Sequence, residues 1–115
     1  MEINIKRVYA TWSEEDGFRV LVDRLWPRGL IKDKARLDLW HKDIAPSSEL
    51  RKWFHREQDW LEFKRRYLSE LAARPKSVAV FRALLAGREK VTLLYGAKDE
   101  EHNQAVVLRD FLQAG

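Results

Sequence analysis

The hydrophobic pattern begins with a segment, Ile3–Tyr9, in which apolar and polar residues alternate. This period of two is typical of a β-strand with one buried face. A second run, Phe18–Leu25, is apolar and β-branched around Val20-Leu21-Val22, which predicts a strand covered on both faces. The polar segment between them, Trp12–Gly17, closes with Asp-Gly, a turn signal, so a hairpin-like connection is one expected arrangement.

The second strand must end at Trp26-Pro27-Arg28-Gly29, because proline lacks the ladder donor and Gly29 permits a positive φ. The segment that follows, Leu30–Ala45, is basic, and its hydrophobic residues recur with neither the strand nor the helix period. We expect it to be irregular, with one short helix or strand.

From Pro46 the pattern becomes helical. Ser47 is placed as the N-cap of a first helix, and Asp59 has the spacing of a capping box for a second. The apolar face predicted for the second helix consists of Trp60, Phe63, Tyr67 and Leu71. Pro75 suits the first turn of a third helix, which Gly87 is placed to end.

The chain closes with a buried strand, Val91–Tyr95, a tight turn at Gly96–Asp99 and a helix from about Glu100 to Leu112. This order of elements predicts an α/β fold in which several helices pack on a small mixed sheet. The length of 115 residues predicts a single domain over residues 1–115.

Composition removes several classes of site. The chain has no cysteine, which excludes a disulfide framework, a thiolate nucleophile and a CxxC zinc site. Its three histidines form no HExxH-like pair, so we expect no metal and no cofactor. The first residues lack the apolar stretch of a signal peptide, and no run approaches the length of a membrane span. We therefore expect a cytoplasmic protein without a membrane partner.

Two predicted loops follow buried strands, where ligands bind in open α/β sheets. They supply the candidate ligand-binding residues Arg24, Trp26, Arg28, Tyr95, Lys98 and Asn103. If the two strands are parallel and adjacent, these loops meet beside the amides that begin the last helix, which attract anions. With a net charge of +4, the chain is expected to bind a small anionic, phosphate-bearing ligand at this point.

Most of these residues also have a structural interpretation. Arg24 could equally form an ion pair with Asp23 or bind a ligand. A large aromatic residue beside a proline, such as Trp26, usually packs against the core. Lysines in turns, such as Lys98, are mostly solvated, and Asn103 suits a helix surface. Their assignment to a site depends on convergence with the loop that carries Arg28.

Catalytic groups are few, and whether the protein is an enzyme stays open. Asp23 and His102 are the candidate acid or base. The alternative class is a nucleic-acid-binding or regulatory module that uses a basic strip. That strip would consist of Lys6, Arg7, Arg24, Arg28, Lys32, Lys34 and Arg36. A third class is an interaction protein whose exposed aromatic residues dock a partner or a second copy.

Three stretches together resemble the YeaO-like branch of the domain-of-unknown-function 488 family. They read LVDRLWPRG at Leu21–Gly29, WHKDIAPSSELRKWF at Trp40–Phe54 and LLYGAKDEEHNQAVVL at Leu93–Leu108. The resemblance covers nearly the whole chain and implies a small bacterial or archaeal protein without an established activity. Many longer relatives carry a Cys-His-Arg triplet near the final loop, where this chain has His102-Asn103-Gln104. A function that relied on that triplet is not expected here.

Overall fold

All four strands of the molecule belong to one parallel sheet, described by a computed structural model that covers residues 1–115. The spatial order is β1 (Glu2–Arg7), β4 (Lys90–Tyr95), β2 (Phe18–Leu21) and β3 (Leu39–Trp40). The central strand β4 pairs with both β1 and β2, with Leu93 opposite Ile5 on one side and Val20 on the other. The predicted α/β class is therefore confirmed, while the sheet is parallel and not mixed.

The hairpin expected between the first two strands is wrong, since β4 lies between them. The connection from Val8 to Gly17 instead returns to the opposite end of the sheet, so that β2 starts parallel to β1. A short 3₁₀ helix, Glu14–Asp16, lies in this connection, and Ser13 caps it. The run Val91–Tyr95 is buried, which suits the strand in the middle of a parallel sheet.

One face of the sheet is covered by the four longer helices, the first three of which begin at the predicted positions. They are α2 (Ser48–Glu57), α3 (Trp60–Ala72), α4 (Pro75–Leu85) and α5 (Gln104–Ala114). The Ser47 hydroxyl accepts a hydrogen bond from Leu50 N, and the Asp59 carboxylate accepts one from Glu62 N. The predicted start of the last helix at Glu100 is wrong, because the Asn103 side chain caps the helix and holds its start at Gln104. The main core lies between these helices and the sheet.

The other face is covered by the two connections that precede β2 and β3. A small apolar cluster, Val8, Leu21 and Leu94, lies there with Trp26 and Trp40 packed against it. The segment 30–45, expected to be irregular with one short helix or strand, contains three short elements. They are α1 (Lys32–Ala35), strand β3 and a 3₁₀ helix (Lys42–Ile44).

This second face also buries an arginine. Arg19, 1% exposed, forms an ion pair with Asp16 and donates hydrogen bonds to the carbonyls of Ala35 (2.8 Å) and Arg36 (3.0 Å). Lys6 Nζ lies 3.1 Å from the same Asp16 carboxylate and donates to Thr11 O at 2.6 Å. These contacts tie both connections to the sheet. None of the helices has the length and apolar character needed to cross a membrane.

Candidate functional site

The two loops expected to form a site do meet at the carboxyl edge of the sheet. The strands β2 and β4 are adjacent and parallel, and Gly96 N, directly after β4, donates a hydrogen bond to Asp23 Oδ2 at 2.9 Å. The other Asp23 oxygen accepts from Gln104 Nε2 in the first turn of α5. Asp23 therefore joins the loop after β2 to the loop after β4 and to the start of the last helix.

Close packing around Asp23 explains why Gly96 suits its position. A Cβ added to Gly96 would lie 2.8 Å from Asp23 Oδ2 and 3.3 Å from Pro27 Cβ. Burial raises the pKa of Asp23 from its usual 3.8 to about 6, against the lowering effect of the hydrogen bonds from Gly96 and Gln104 and of the nearby Arg51 charge. Asp23 is thus a carboxyl group that changes charge near neutral pH.

Replacing Asp23 with asparagine is expected to change how stability depends on pH. Because the pKa of Asp23 is raised in the folded state, its contribution is fully present below pH 3.8 and is lost as pH rises through about 6. The shift of about two units corresponds to about 3 kcal/mol. Relative to the native chain, Asp23→Asn should therefore gain about that much free energy of unfolding between acidic and weakly alkaline pH, measured by urea denaturation.

Asp99→Asn is the matched control. Asp99 is an exposed carboxyl whose pKa is lowered, first by the hydrogen bond from Glu101 N and then by that from His102 N. The contribution of Asp99 to stability is present above its usual pKa and is lost as pH falls. The free energy of unfolding of Asp99→Asn, relative to the native chain, should therefore fall as pH rises, which is opposite to the change expected for Asp23→Asn. A free-energy difference between Asp23→Asn and the native chain that does not vary with pH would contradict the assignment of a raised pKa.

Two of the candidate ligand-binding residues after β2 are engaged in holding the fold. Arg24 donates to the carbonyls of Pro46 (2.9 Å) and Ala45 (3.0 Å), so it fastens the segment before α2 and forms no ion pair with Asp23. The Trp26 indole donates to Leu30 O at 2.9 Å and its ring packs edge-on against Trp40. Both side chains have intramolecular contacts that account for their positions.

Tyr95 and Asn103 are also placed inside the fold. Tyr95 is 2% exposed and belongs to the main core, and burial raises the pKa of its hydroxyl. Asn103 is 1% exposed, and its Oδ1 accepts from Ala105 N and Val106 N. The amides at the start of α5, expected to attract an anion, are thus already bonded to a side chain of the chain itself.

His102 and Lys98 lie on the exposed surface of the loop after β4. His102 Nδ1 is 3.1 Å from Asp99 Oδ2, and its ring lies 5.0 Å from that of Trp60, with no hydrogen bond to Asp23. Lys98 is exposed and makes no ion pair, but the acidic run Asp99-Glu100-Glu101 follows it. The charge of this loop is therefore negative, which makes it a poor anion site by itself.

Positive charge at this edge instead gathers around Tyr9, which follows β1. Arg7 Nε donates to Ala97 O at 3.0 Å, and its guanidinium lies 5.0 Å from the centre of the Tyr9 ring. Tyr9 Oη donates to Arg28 O at 2.6 Å. We call Arg7, Tyr9 and Arg28 the Tyr9 rim.

Both arginines of the Tyr9 rim have donors to spare. Arg28 is exposed and its side chain makes no hydrogen bond or ion pair, while the terminal nitrogens of Arg7 donate to nothing within the chain. Arg7 is not one of the residues that the sequence predicts for the two loops, and it belongs only to the basic strip. Its position at the carboxyl end of a predicted strand was the signal that could have found it.

The basic strip considered from the sequence is interrupted in the structure. Lys6 pairs with Asp16, and Arg24 is bonded to backbone carbonyls. Lys32 and Lys34 are exposed on α1, and the Arg36 guanidinium lies 4.0 Å from the centre of the Trp12 ring. No group of three or more His, Asp or Glu side chains is arranged to hold a metal ion.

Comparison with known proteins places the chain in a family. A family model described as the inactive DUF488-N3 subclade matches residues 2–115. The chain is 47% identical over 115 residues to the uncharacterized protein YeaO of Escherichia coli K12, covering 99% of both chains. It is 40% identical over 111 residues to the uncharacterized protein Rv3073c of Mycobacterium tuberculosis H37Rv, covering 96% of this chain and 92% of the relative. No solved structure matches it. The chain belongs to the DUF488 family, in the branch described as its inactive DUF488-N3 subclade.

Proposed function

We propose that this protein binds a small phosphate-bearing anion at the carboxyl edge of its sheet, on the Tyr9 rim, and that it acts by binding. The observation that supports this most directly is the arrangement around one tyrosine. The Arg7 guanidinium lies against the Tyr9 ring, and the Tyr9 hydroxyl holds the backbone of Arg28. Guanidinium groups suit phosphate because their donors match its oxygen geometry.

The anchoring of Arg7 adds to this support. Its Nε is already committed to Ala97 O, which orients the guanidinium and reduces the side-chain entropy that a ligand would have to remove. Arg28 follows Pro27, whose ring restricts the backbone of the turn. Lys98 lies on the loop next to Ala97, at the margin of the rim, where its acidic neighbours oppose a larger role.

A binding role fits the groups present better than a catalytic one. Asp23, a partly buried carboxyl at this edge, uses both oxygens as acceptors from Gly96 and Gln104, so it is occupied in joining the loops. His102 points its Nδ1 to Asp99. The subclade description, inactive, agrees with this interpretation.

A thermal-shift titration with inorganic phosphate, a nucleoside monophosphate and a sugar phosphate tests the proposal. A ligand at about 100 times its Kd adds about 2.7 kcal/mol to the free energy of unfolding. The native chain should therefore melt several degrees higher with at least one of these probes. Arg28→Ala should weaken that binding about tenfold to a hundredfold, since a charge-assisted hydrogen bond contributes about 1.5–3 kcal/mol.

Arg56→Ala is the control, because Arg56 is exposed on α2, makes no ion pair and lies outside the rim. It removes the same charge and should leave the ligand-induced shift unchanged. Equal losses in Arg28→Ala and Arg56→Ala would mean that only net charge matters. Full retention of binding in Arg28→Ala would remove the rim as the site.

A further inference from the structure

We infer that the phosphate group bound on the Tyr9 rim belongs to a single-stranded nucleic acid, whose bases stack on Tyr9 and Trp12 along the second face of the sheet. This inference rests on the proposed function and names the ligand class. The surface concerned consists of the Tyr9 rim together with Trp12, Lys32, Lys34 and Arg36. We call it the second-face platform.

Exposed apolar side chains concentrate beside this platform. Half of the large hydrophobic residues that remain exposed in the molecule lie in the connections that cover the second face. These residues are Tyr9 (42% exposed), Trp12 (36%), Leu25 (55%) and Ile31 (55%). The others, Met1, Leu61, Val80 and Leu84, are distributed over the amino terminus and two helices of the opposite face. Aromatic rings left this accessible offer flat surfaces on which nucleobases stack.

Positive charge runs along only the second of these connections, the one that precedes β3, because the first carries Glu14, Glu15 and Asp16 and no basic residue. From Arg28 to Arg36 the chain carries four basic residues and a single acidic one, Asp33. The nearby acids Glu14 and Glu15 lie at the amino edge of the sheet, where Glu15 forms an ion pair with Lys90 at 3.0 Å. The platform is therefore complementary to a chain of phosphates, and its charge extends beyond what one compact anion would occupy.

Each platform aromatic is paired with an arginine. The Arg7 guanidinium lies 5.0 Å from the Tyr9 ring centre, and the Arg36 guanidinium lies 4.0 Å from that of Trp12. Each arginine covers one face of its ring, so a base has to stack on the opposite face. Interleaved aromatic and cationic groups are what single-strand binding surfaces use, because the rings take the bases and the cations take the backbone. A duplex hides its bases, so this arrangement favours a single strand.

The platform is held rigid by the buried ion-pair network of the second face. Lys6 binds Thr11 O beside Trp12, while Arg19 binds the carbonyls of Ala35 and Arg36. Arg36 has a positive φ of 49°, a conformation that these contacts stabilise. The buried charges thus position Trp12 and Arg36 against each other before any ligand arrives, which lowers the ordering cost of binding.

Fluorescence anisotropy with a labelled oligothymidylate of about 12 nucleotides tests the inference. Trp12→Ala should weaken binding about tenfold, because stacking of one base contributes about 1–3 kcal/mol. Trp12→Phe keeps an aromatic face and should recover most of the affinity, which separates stacking from any disturbance of the loop. Lys32→Ala combined with Lys34→Ala should flatten the dependence of log Kd on log salt, since fewer counterions are released. Arg56→Ala again serves as the charge control.

The outcomes distinguish this inference from the proposed function. A phosphate-induced thermal shift that Arg28→Ala abolishes, together with no binding of the oligonucleotide, would overturn the nucleic-acid assignment and leave the anion site standing. Equal affinity for a duplex of the same length, or equal affinity of Trp12→Ala and Trp12→Phe, would likewise overturn it. Oligonucleotide binding that is lost in Trp12→Ala and in Arg28→Ala, and kept in Arg56→Ala, is the expected result.

Discussion

Replacing Arg19 with methionine is expected to lower the free energy of unfolding by about 3–5 kcal/mol. Arg19 is 1% exposed, and two of the residues that accept its hydrogen bonds, Asp16 (8% exposed) and Ala35 (1%), are also buried. Its guanidinium pairs with Asp16 and donates to Ala35 O and Arg36 O. Methionine has a similar length but supplies no donor, so these acceptors would remain buried with fewer partners.

The loss would not be confined to one contact, because Asp16 is shared. Burial alone would raise the pKa of Asp16, but the hydrogen bond from Ser13 N, the bonds and charge of Lys6 and the bond from Arg19 outweigh it and lower the pKa. Removing Arg19 takes away one of these stabilising donors while the carboxylate stays buried. Thr92 Oγ1 also donates to Asp16 O at 2.7 Å, so strand β4 is attached to the same network.

Urea denaturation of Arg19→Met beside Arg65→Met measures the difference between a buried and an exposed arginine. Arg65 pairs with Glu62 within one turn of α3, and its side chain is 68% exposed. Ion pairs exposed to water in this way contribute little to stability, so Arg65→Met should be nearly neutral. Similar, small effects for the two variants would show that water or a rearrangement replaces the Arg19 donors.

Replacing Gly17 with alanine is expected to destabilise the fold by about 3–5 kcal/mol, since two penalties add. Gly17 has φ 65° and ψ −134°, a conformation open essentially to glycine alone. A Cβ at this position would lie 2.5 Å from Lys90 O and 2.7 Å from Lys90 Cβ. Lys90 starts the central strand, so relieving this clash would shift β2 and β4 apart near the Phe18 and Val91 pair.

Gly87→Ala is the control that isolates the conformational penalty. Gly87 has φ 82°, and an added Cβ would meet nothing within 4 Å. Its cost should be about 1–2 kcal/mol, from the positive φ alone. Thermal and urea unfolding should therefore show that Gly17→Ala is much less stable than Gly87→Ala. Equal losses would mean that the chain moves away from Lys90 without effect on the sheet.

Local patterns predicted most of the helices and strands because their signals are short in range. Ser47 and Asp59 are found as N-caps, and Pro75 begins α4 as its first residue. The sequence pattern predicts too early a start for the last helix, because residues 100–102 are compatible with a helix and only the structure shows that Asn103 is the N-cap. The segment 30–45 gives no clear pattern, since its elements are only two to four residues long.

The meeting of the two loops at one edge of the sheet was predicted from the sequence, whereas the side chains left available there were not. That the loops after two buried strands converge followed from a general property of parallel sheets, and the bond between Gly96 and Asp23 is that convergence. Which side chains remain available for a ligand depends on tertiary partners. Arg24 and Arg28 are both arginines at or just after the end of the second predicted strand, so the sequence does not distinguish them. In the structure only Arg24 donates hydrogen bonds to the carbonyls of Ala45 and Pro46.

By itself the sequence determined the α/β class, most of the helices and strands, the family, and the edge of the sheet at which polar loops meet. These follow from hydrophobic period, caps, turn residues and motif spacing, which act over a few neighbouring positions. Only the tertiary structure decided the strand order, the burial of Arg19 and the grouping of Arg7, Tyr9 and Arg28. Each of these depends on contacts between residues distant in the chain, and a local pattern does not specify which distant partner a side chain will meet.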